Sequence, residues 1–251
     1  MNANYYVIVG DDYAKFSQQP NVFTVSELYK EMVDDKTWPG ENASFIFGQG
    51  IGYTDREFIE TSLKNRSVDK VYSFSPVATL ADTHKHAEEN VLITEPRRLG
   101  KLNYAFDLSL TDKIDRLSDH VTGQHVGAML LMEAARQATI AVLEYEYCRD
   151  SSESFGLVLD RFDSRFDGYL FPLPASLNTV IKELKVSAKS ITVVVTSTVI
   201  QCGVDIGSIS LDVTLCNSRL LNKIESKKSQ TAVKELCRRV DEALEQRLDI
   251  A

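Results

Sequence analysis

The sequence predicts an α+β protein in which a small parallel βαβαβ unit precedes an antiparallel sheet curled around one long central helix. Three observations predict it. Within the first 80 residues, apolar segments alternate between strand-like and helix-like spacing. Residues 126–143 are apolar except for polar Gln137 and Thr139 and the two charges Glu133 and Arg136. Beyond residue 150 the chain runs mostly in long segments of alternating hydrophobicity, the pattern of strands with one buried face.

The N-terminal segments read in order. Tyr5-Tyr-Val-Ile-Val9 is a short apolar strand, and 24–33 has helical spacing at Val25, Leu28, Tyr29 and Met32, with Thr24 or Ser26 as its cap. Ser44-Phe-Ile-Phe47 is a second strand, 55–64 a second helix and 70–74 a third strand. Alternation of this kind builds a parallel sheet with helices packed on it. Gly48-Gln-Gly-Ile-Gly52 lacks the G-x-G-x-x-G spacing of a phosphate cradle, and no Gly-Lys-Ser/Thr follows. It reads as a flexible turn.

After residue 89 the pattern changes. Strands are expected at 91–94 and at 103–110, the latter alternating through Tyr104, Phe106, Leu108 and Leu110. A helix over roughly 125–147 follows, then strands at 155–162, 179–187, 191–202 and 206–215, with Gly203 placed to turn a hairpin. Val233, Leu236, Val240 and Leu244 share one face of a charged C-terminal helix. The expected division is 1–80 for the α/β unit, 82–224 for the sheet and central helix, and 227–251 for the last helix. A helix that is apolar nearly all round must be enclosed, and a curved antiparallel sheet can enclose it.

Composition narrows the function. The 251 residues carry 28 Lys+Arg against 36 Asp+Glu, a net charge of −8, which argues against a protein that tracks nucleic-acid phosphates. Four cysteines without a C-x-x-C pair read as thiols of a reducing compartment. Residues 126–143 approach membrane-span length, but Glu133 and Arg136 at their centre favour a buried helix, since charge is costly in lipid. The N-terminus has no basic segment before its short apolar run, so no secretory signal is read. The expectation is a cytoplasmic protein without membrane insertion. His84-x-His86 offers two imidazoles without a third ligand nearby in sequence, and no metal site is expected.

The informative chemistry lies around the central helix. Glu133 and Arg136 stand at i and i+3 and share a face. They can form an internal pair that holds the helix on the sheet, or an acid and a cation that face a ligand. His120 and His125 precede the helix, with Gly123, Gly127 and Ala128 beside them. Small residues there let backbone amides approach a ligand, and a helix N-terminus favours developing negative charge. An imidazole, a carboxylate and free amides are what carbonyl chemistry needs. Each histidine also has an ordinary reading as a capping or surface residue.

The segment His120-Val-Thr-Gly-Gln-His-Val-Gly-Ala-Met-Leu-Leu-Met-Glu-Ala-Ala-Arg-Gln137 resembles the central-helix motif of hotdog-fold proteins. Glu133-Ala-Ala-Arg-Gln137 is similar to the helix that marks the A-factor biosynthesis hotdog family, and His84-Lys-His86 with Val91-Leu-Ile-Thr94-Glu-Pro-Arg-Arg98 fits the approach to it. The resemblance covers roughly 82–224. It implies a hotdog fold and an acyl thioester, on coenzyme A or an acyl carrier protein, as substrate, with no other cofactor. The implied reaction transfers a β-ketoacyl group to a small hydroxylated acceptor, toward a γ-butyrolactone-type signal or another secondary metabolite. A thioesterase, a dehydratase and a non-catalytic acyl-binding scaffold are the alternatives. His120, Glu133 and Arg136 are the implied catalytic residues, and His125, Gly127 and Gln137 the substrate-binding ones. Members with butyrolactone-type activity resemble two fused hotdogs, whereas this chain has room for one, so a homodimer is expected.

Overall fold

The computed structural model describes all residues except 1–3, 35–37, 40–42, 67, 69, 73–74, 115–121, 150, 152–153, 188–189 and 249–251. Its N-terminal unit is a four-stranded parallel sheet of β1 (Asn4–Val9), β2 (Val22–Thr24), β3 (Ala43–Phe47) and β4 (Lys70–Tyr72), in the order β2-β1-β3-β4. Helices α1 (Val25–Asp34) and α2 (Tyr53–Asn65) pack on it. Alternate turns of α1 bury Val25, Leu28 and Met32, and α2 buries Ile59 and Leu63, against Ile8, Phe45 and Phe47 of the strands. Strand β2 has no alternation of its own; parallel pairing of Val7 with Val22 and Val9 with Thr24 creates it.

The second layer is a six-stranded antiparallel sheet. It contains β5 (Arg97–Gly100), β6 (Asn103–Asp107), β7 (Phe155–Phe166), β8 (Ala175–Val186), β9 (Ser190–Gln201) and β10 (Val204–Asn217), in the order β5-β6-β8-β9-β10-β7. Register shifts at Ile181/Glu183, Asp205/Gly207 and Asp212/Val213 add local twist, which curls a sheet of long strands. Cys202 and Gly203 both have positive φ, 52° and 76°, so β9 and β10 join through a tight turn that suits right-twisted strands. The inward row of β10, Ile209, Leu211, Val213 and Leu215, and that of β9, Val193, Val195 and Val199, meet the central helix in one core.

That helix, α4 (Ala128–Leu143), continues as a π-turn over Glu144–Cys148. Leu130, Leu131, Ala134, Ala135, Ala138, Ala141 and Val142 are buried against the sheet. The helix is nevertheless not fully enclosed. Met129 is exposed, and Met132, Glu133 and Arg136 are half-buried on the opposite side, so one face of α4 remains open. Residues 91–94, expected as a strand, pair only through the isolated bridges Val77–Thr94 and Ile93–Leu108. The last helix, α5 (Ser218–Leu248), begins directly after β10, nine residues before the expected start at 227. Among the described residues no helix is long and apolar enough to cross a membrane.

The Gly48–Gly52 turn is buried rather than flexible. Gln49 Nε2 donates to the Leu108 and Leu173 carbonyls at 3.2 and 3.4 Å, and Gln49 Oε1 accepts from the Leu110 amide at 2.9 Å. A side chain at Gly10 would place its Cβ 1.9 Å from the Gly50 oxygen, and one at Gly48 would sit 2.2 Å from the Pro172 oxygen. These glycines permit backbone contact that any other residue would block. The turn therefore clasps the N-terminal unit to the larger sheet.

Candidate active site on the open face of the central helix

The open face of α4 is bordered on one side by a strap, residues 79–92, that includes the short helix α3 (Leu80–Thr83). Thr79 caps α3, its Oγ1 accepting from the Asp82 amide at 3.1 Å. Polar contacts fasten the strap along α4 and its π-turn. Lys85 Nζ lies 2.6 Å from Glu133 Oε1, His84 Nε2 lies 2.8 Å from Glu144 Oε1, and Arg149 reaches Asp82 at 3.2 Å. On the other border, Ser164 of β7 approaches the Met132 sulfur at 4.0 Å.

Glu133 is the centre of this arrangement. Arg136 donates to it in a fork, Nε to Oε2 and Nη2 to Oε1, both at 2.8 Å. Gln137 Nε2 donates to Oε1 at 3.0 Å. Burial pushes the carboxyl upward, but hydrogen bonds from Arg136, Lys85 and Gln137 and the charge of Arg136 outweigh it and hold Glu133 at about 2. The Glu133 carboxylate in turn raises Arg136 above its ordinary value, against the opposing effect of burial. Two cations around one carboxylate leave the cluster with an excess positive charge. Arg136 Nη1 has no acceptor among the described residues.

The sequence had left open whether Glu133 and Arg136 pair or face a ligand. In the structure the pair is formed, and it stands on the open face, with side-chain exposures of 16% for Glu133 and 31% for Arg136. Lys85 is the member that spacing could not supply, because it lies 48 positions from Glu133 on a separate element. Gln137 is fully buried. Its Oε1 accepts from the Leu92 amide and its Nε2 donates to the Asn90 carbonyl, both at 2.8 Å, so it braces the strap and steadies Glu133.

At the start of α4, Gly127 is the N-cap and no side chain caps the first amides. His125 stacks obliquely on Tyr169, with ring centroids 4.9 Å apart, and its Nδ1 is 3.2 Å from Thr122 Oγ1. The Thr122 hydroxyl also accepts from the amides of Gln124 and His125 at 3.3 Å, and the Val126 amide donates to the Leu170 carbonyl with Gly127 extended, so the helix begins at Ala128 rather than at 125. Gly123, at φ 75°, offers its carbonyl to the amides of Lys15 and Phe16. The N-terminal unit thus pins the approach to the helix. His120 lies outside the described residues.

Where the N-terminal unit meets the strap, Tyr53, Val77, Leu80, Ala81, Glu88 and Val91 line a cavity of about 550 Å³. Among the described residues, no group of three or more His, Cys, Asp or Glu could hold a metal ion.

No curated protein sequence matches the chain. Solved structures with a similar backbone include a conserved protein from Pseudomonas aeruginosa, at 11% identity over 55% of this chain and 99% of that one, with a TM-score of 0.41. A hot-dog-like protein from Thermanaerovibrio acidaminovorans aligns at 12% identity over 50% and 89% of the two chains, with a TM-score of 0.40. A mutant thioesterase from Pseudomonas aeruginosa aligns at 11% over 57% and 98%, with a TM-score of 0.39. Likenesses at this level carry no functional weight. The family model described as the A-factor biosynthesis hotdog domain matches residues 77–225. That span holds the strap, the sheet and the central helix with Glu133 and Arg136, and the chain belongs to the A-factor biosynthesis hotdog family.

Proposed function

We propose that the protein acts on acyl thioesters and transfers a β-ketoacyl group from a carrier-protein or coenzyme A thioester to a small hydroxylated acceptor. The observation that carries this reading is the ion-paired Glu133 and Arg136 on the open face of a helix with no other charge. In the reaction the acceptor oxygen attacks the thioester carbonyl carbon, the carbon–sulfur bond breaks, and the hydroxyl proton ends on the departing thiol. Family membership and the methionines of the open helix face support an acyl substrate; Met129 and Met132 are the adaptable side chains that would lie along the chain.

A carboxyl held at about 2 is a weak base at neutral pH. Glu133 therefore orients the acceptor hydroxyl, through the Oε2 oxygen that accepts only from Arg136, rather than stripping its proton. Arg136 Nη1 takes the phosphate or other anionic arm of a substrate, a role suited to planar guanidinium. The amides beyond Gly127, with His125 beside them, face the developing oxyanion, and His120 relays the proton. A second copy placed on the open face and the outer edge of β7 would close the cleft, so the working unit in this reading is a homodimer.

The test is release of free thiol from a panel of acyl thioesters, with and without dihydroxyacetone phosphate as acceptor. Release that depends on acceptor supports transfer. Release without acceptor makes the protein a hydrolase, and saturable binding without release makes it an acyl-binding scaffold.

A further inference from the structure

Two apolar surfaces of this chain have no cover within one copy. The first is α5. Its opening turn is seated, with the Ser218 amide donating to the Ser154 carbonyl at 2.9 Å and Leu221 packed on Gly156 of β7. From Asn222 to Val240, however, no residue is buried. Val233, Leu236 and Val240 are 61%, 63% and 48% exposed at i, i+3 and i+7, the spacing with which an amphipathic helix occupies a groove. Helices gain most of their stability from packing an apolar face, and here that face meets only solvent.

The second surface is a groove of about 720 Å³ between α1 and α2 on the N-terminal unit, lined by Tyr29, Met32, Val33, Asp55, Phe58 and Arg66 among others. Val33 and Phe58 are 75% and 57% exposed. Charge relates the two surfaces. α5 carries eight basic and five acidic side chains, seven of the basic and two of the acidic within 218–240, whereas α1 and α2 together carry six acidic and three basic ones. Lys223, Lys227, Lys228 and Lys234 enter no ion pair among the described residues. A basic helix with an apolar stripe and an apolar groove framed by acidic helices are complementary in both respects.

We propose that α5 of one copy lies in the groove between α1 and α2 of a second copy, with Val233, Leu236 and Val240 over Val33 and Phe58. Exchange in both directions is self-complementary, as a two-fold dimer requires. The exchange belongs to the same two-fold dimer as the open-face contact proposed above, so its loss weakens association, and it gives the N-terminal unit a role in assembly whatever the thioester chemistry.

Sedimentation of the full chain, of Phe58→Asp, of Val33→Asp and of Leu236→Asp tests it. All three positions are exposed, so circular dichroism and melting are expected to match the wild type. The dissociation constant of self-association should rise at least tenfold in each variant. An equimolar mixture of Phe58→Asp and Leu236→Asp should associate more tightly than either alone, because one intact helix then meets one intact groove. Wild-type association in both groove variants, or in Leu236→Asp, overturns the proposal. Weakening by Leu236→Asp alone would mean that α5 pairs with α5 instead, and absence of recovery on mixing would exclude the exchange.

Discussion

Lys85 Nζ lies 2.6 Å from Glu133 Oε1, and this contact joins the strap directly to the charged pair on the central helix. Lys85→Met keeps most of the apolar stem and removes the cation, while Arg136 and Gln137 still satisfy Glu133. The expected loss is about 1–2 kcal/mol by urea unfolding. Hydrogen exchange at the Leu92 amide, which Gln137 holds, should quicken in the same variant. Unchanged stability and exchange would show that the strap is held by its other contacts.

Acid should release the same network. The folded value of Glu133, about 2, is below its ordinary 4.5, so its contribution to stability is complete above about 4.5 and is lost as pH falls toward 2. The melting-temperature gap between wild type and Glu133→Gln is therefore expected to be constant from pH 5 to 8. It should close progressively below pH 4.5. A gap that widens on acidification would contradict the assigned pairing.

The clasp between the units depends on Gln49. Gln49→Ala leaves the buried Leu110 amide and Leu108 carbonyl without their side-chain partner, at a cost of about 2–4 kcal/mol. Unfolding followed by two probes should remain coincident in the wild type. In the variant, the N-terminal unit should loosen first, seen as earlier exposure of Trp38, the single tryptophan.

Much of this architecture was legible in the sequence because it follows from period. The inward rows of β9 and β10 alternate, and α4 is apolar on every turn, so sheet and central helix could be read directly. Residues 91–94 look like a strand by the same criterion, yet the Leu92 amide is taken by Gln137 and the ladder is interrupted by a side chain 45 positions away. The open face of α4 was illegible for a related reason: Met129 and Met132 score as core residues whether or not a sheet covers them. Gly48–Gly52 showed its glycines but not their purpose, since close approach to Gly10 and Pro172 is a tertiary fact. At the site, i, i+3 spacing placed Glu133 and Arg136 on one face and left their pairing open, whereas Lys85 had no local signature.

The most direct test of the account is the rate of acceptor-dependent thiol release by Arg136→Lys, measured beside its melting temperature. Lysine keeps the positive charge near Glu133 and removes the planar fork that both grips the carboxylate and offers Nη1 to substrate. Arg136→Lys is expected to melt within about 2–4 °C of wild type, the shift of about 1 kcal/mol in a chain of this size, and to release thiol at least tenfold more slowly. Release at the wild-type rate by a folded Arg136→Lys protein would contradict it.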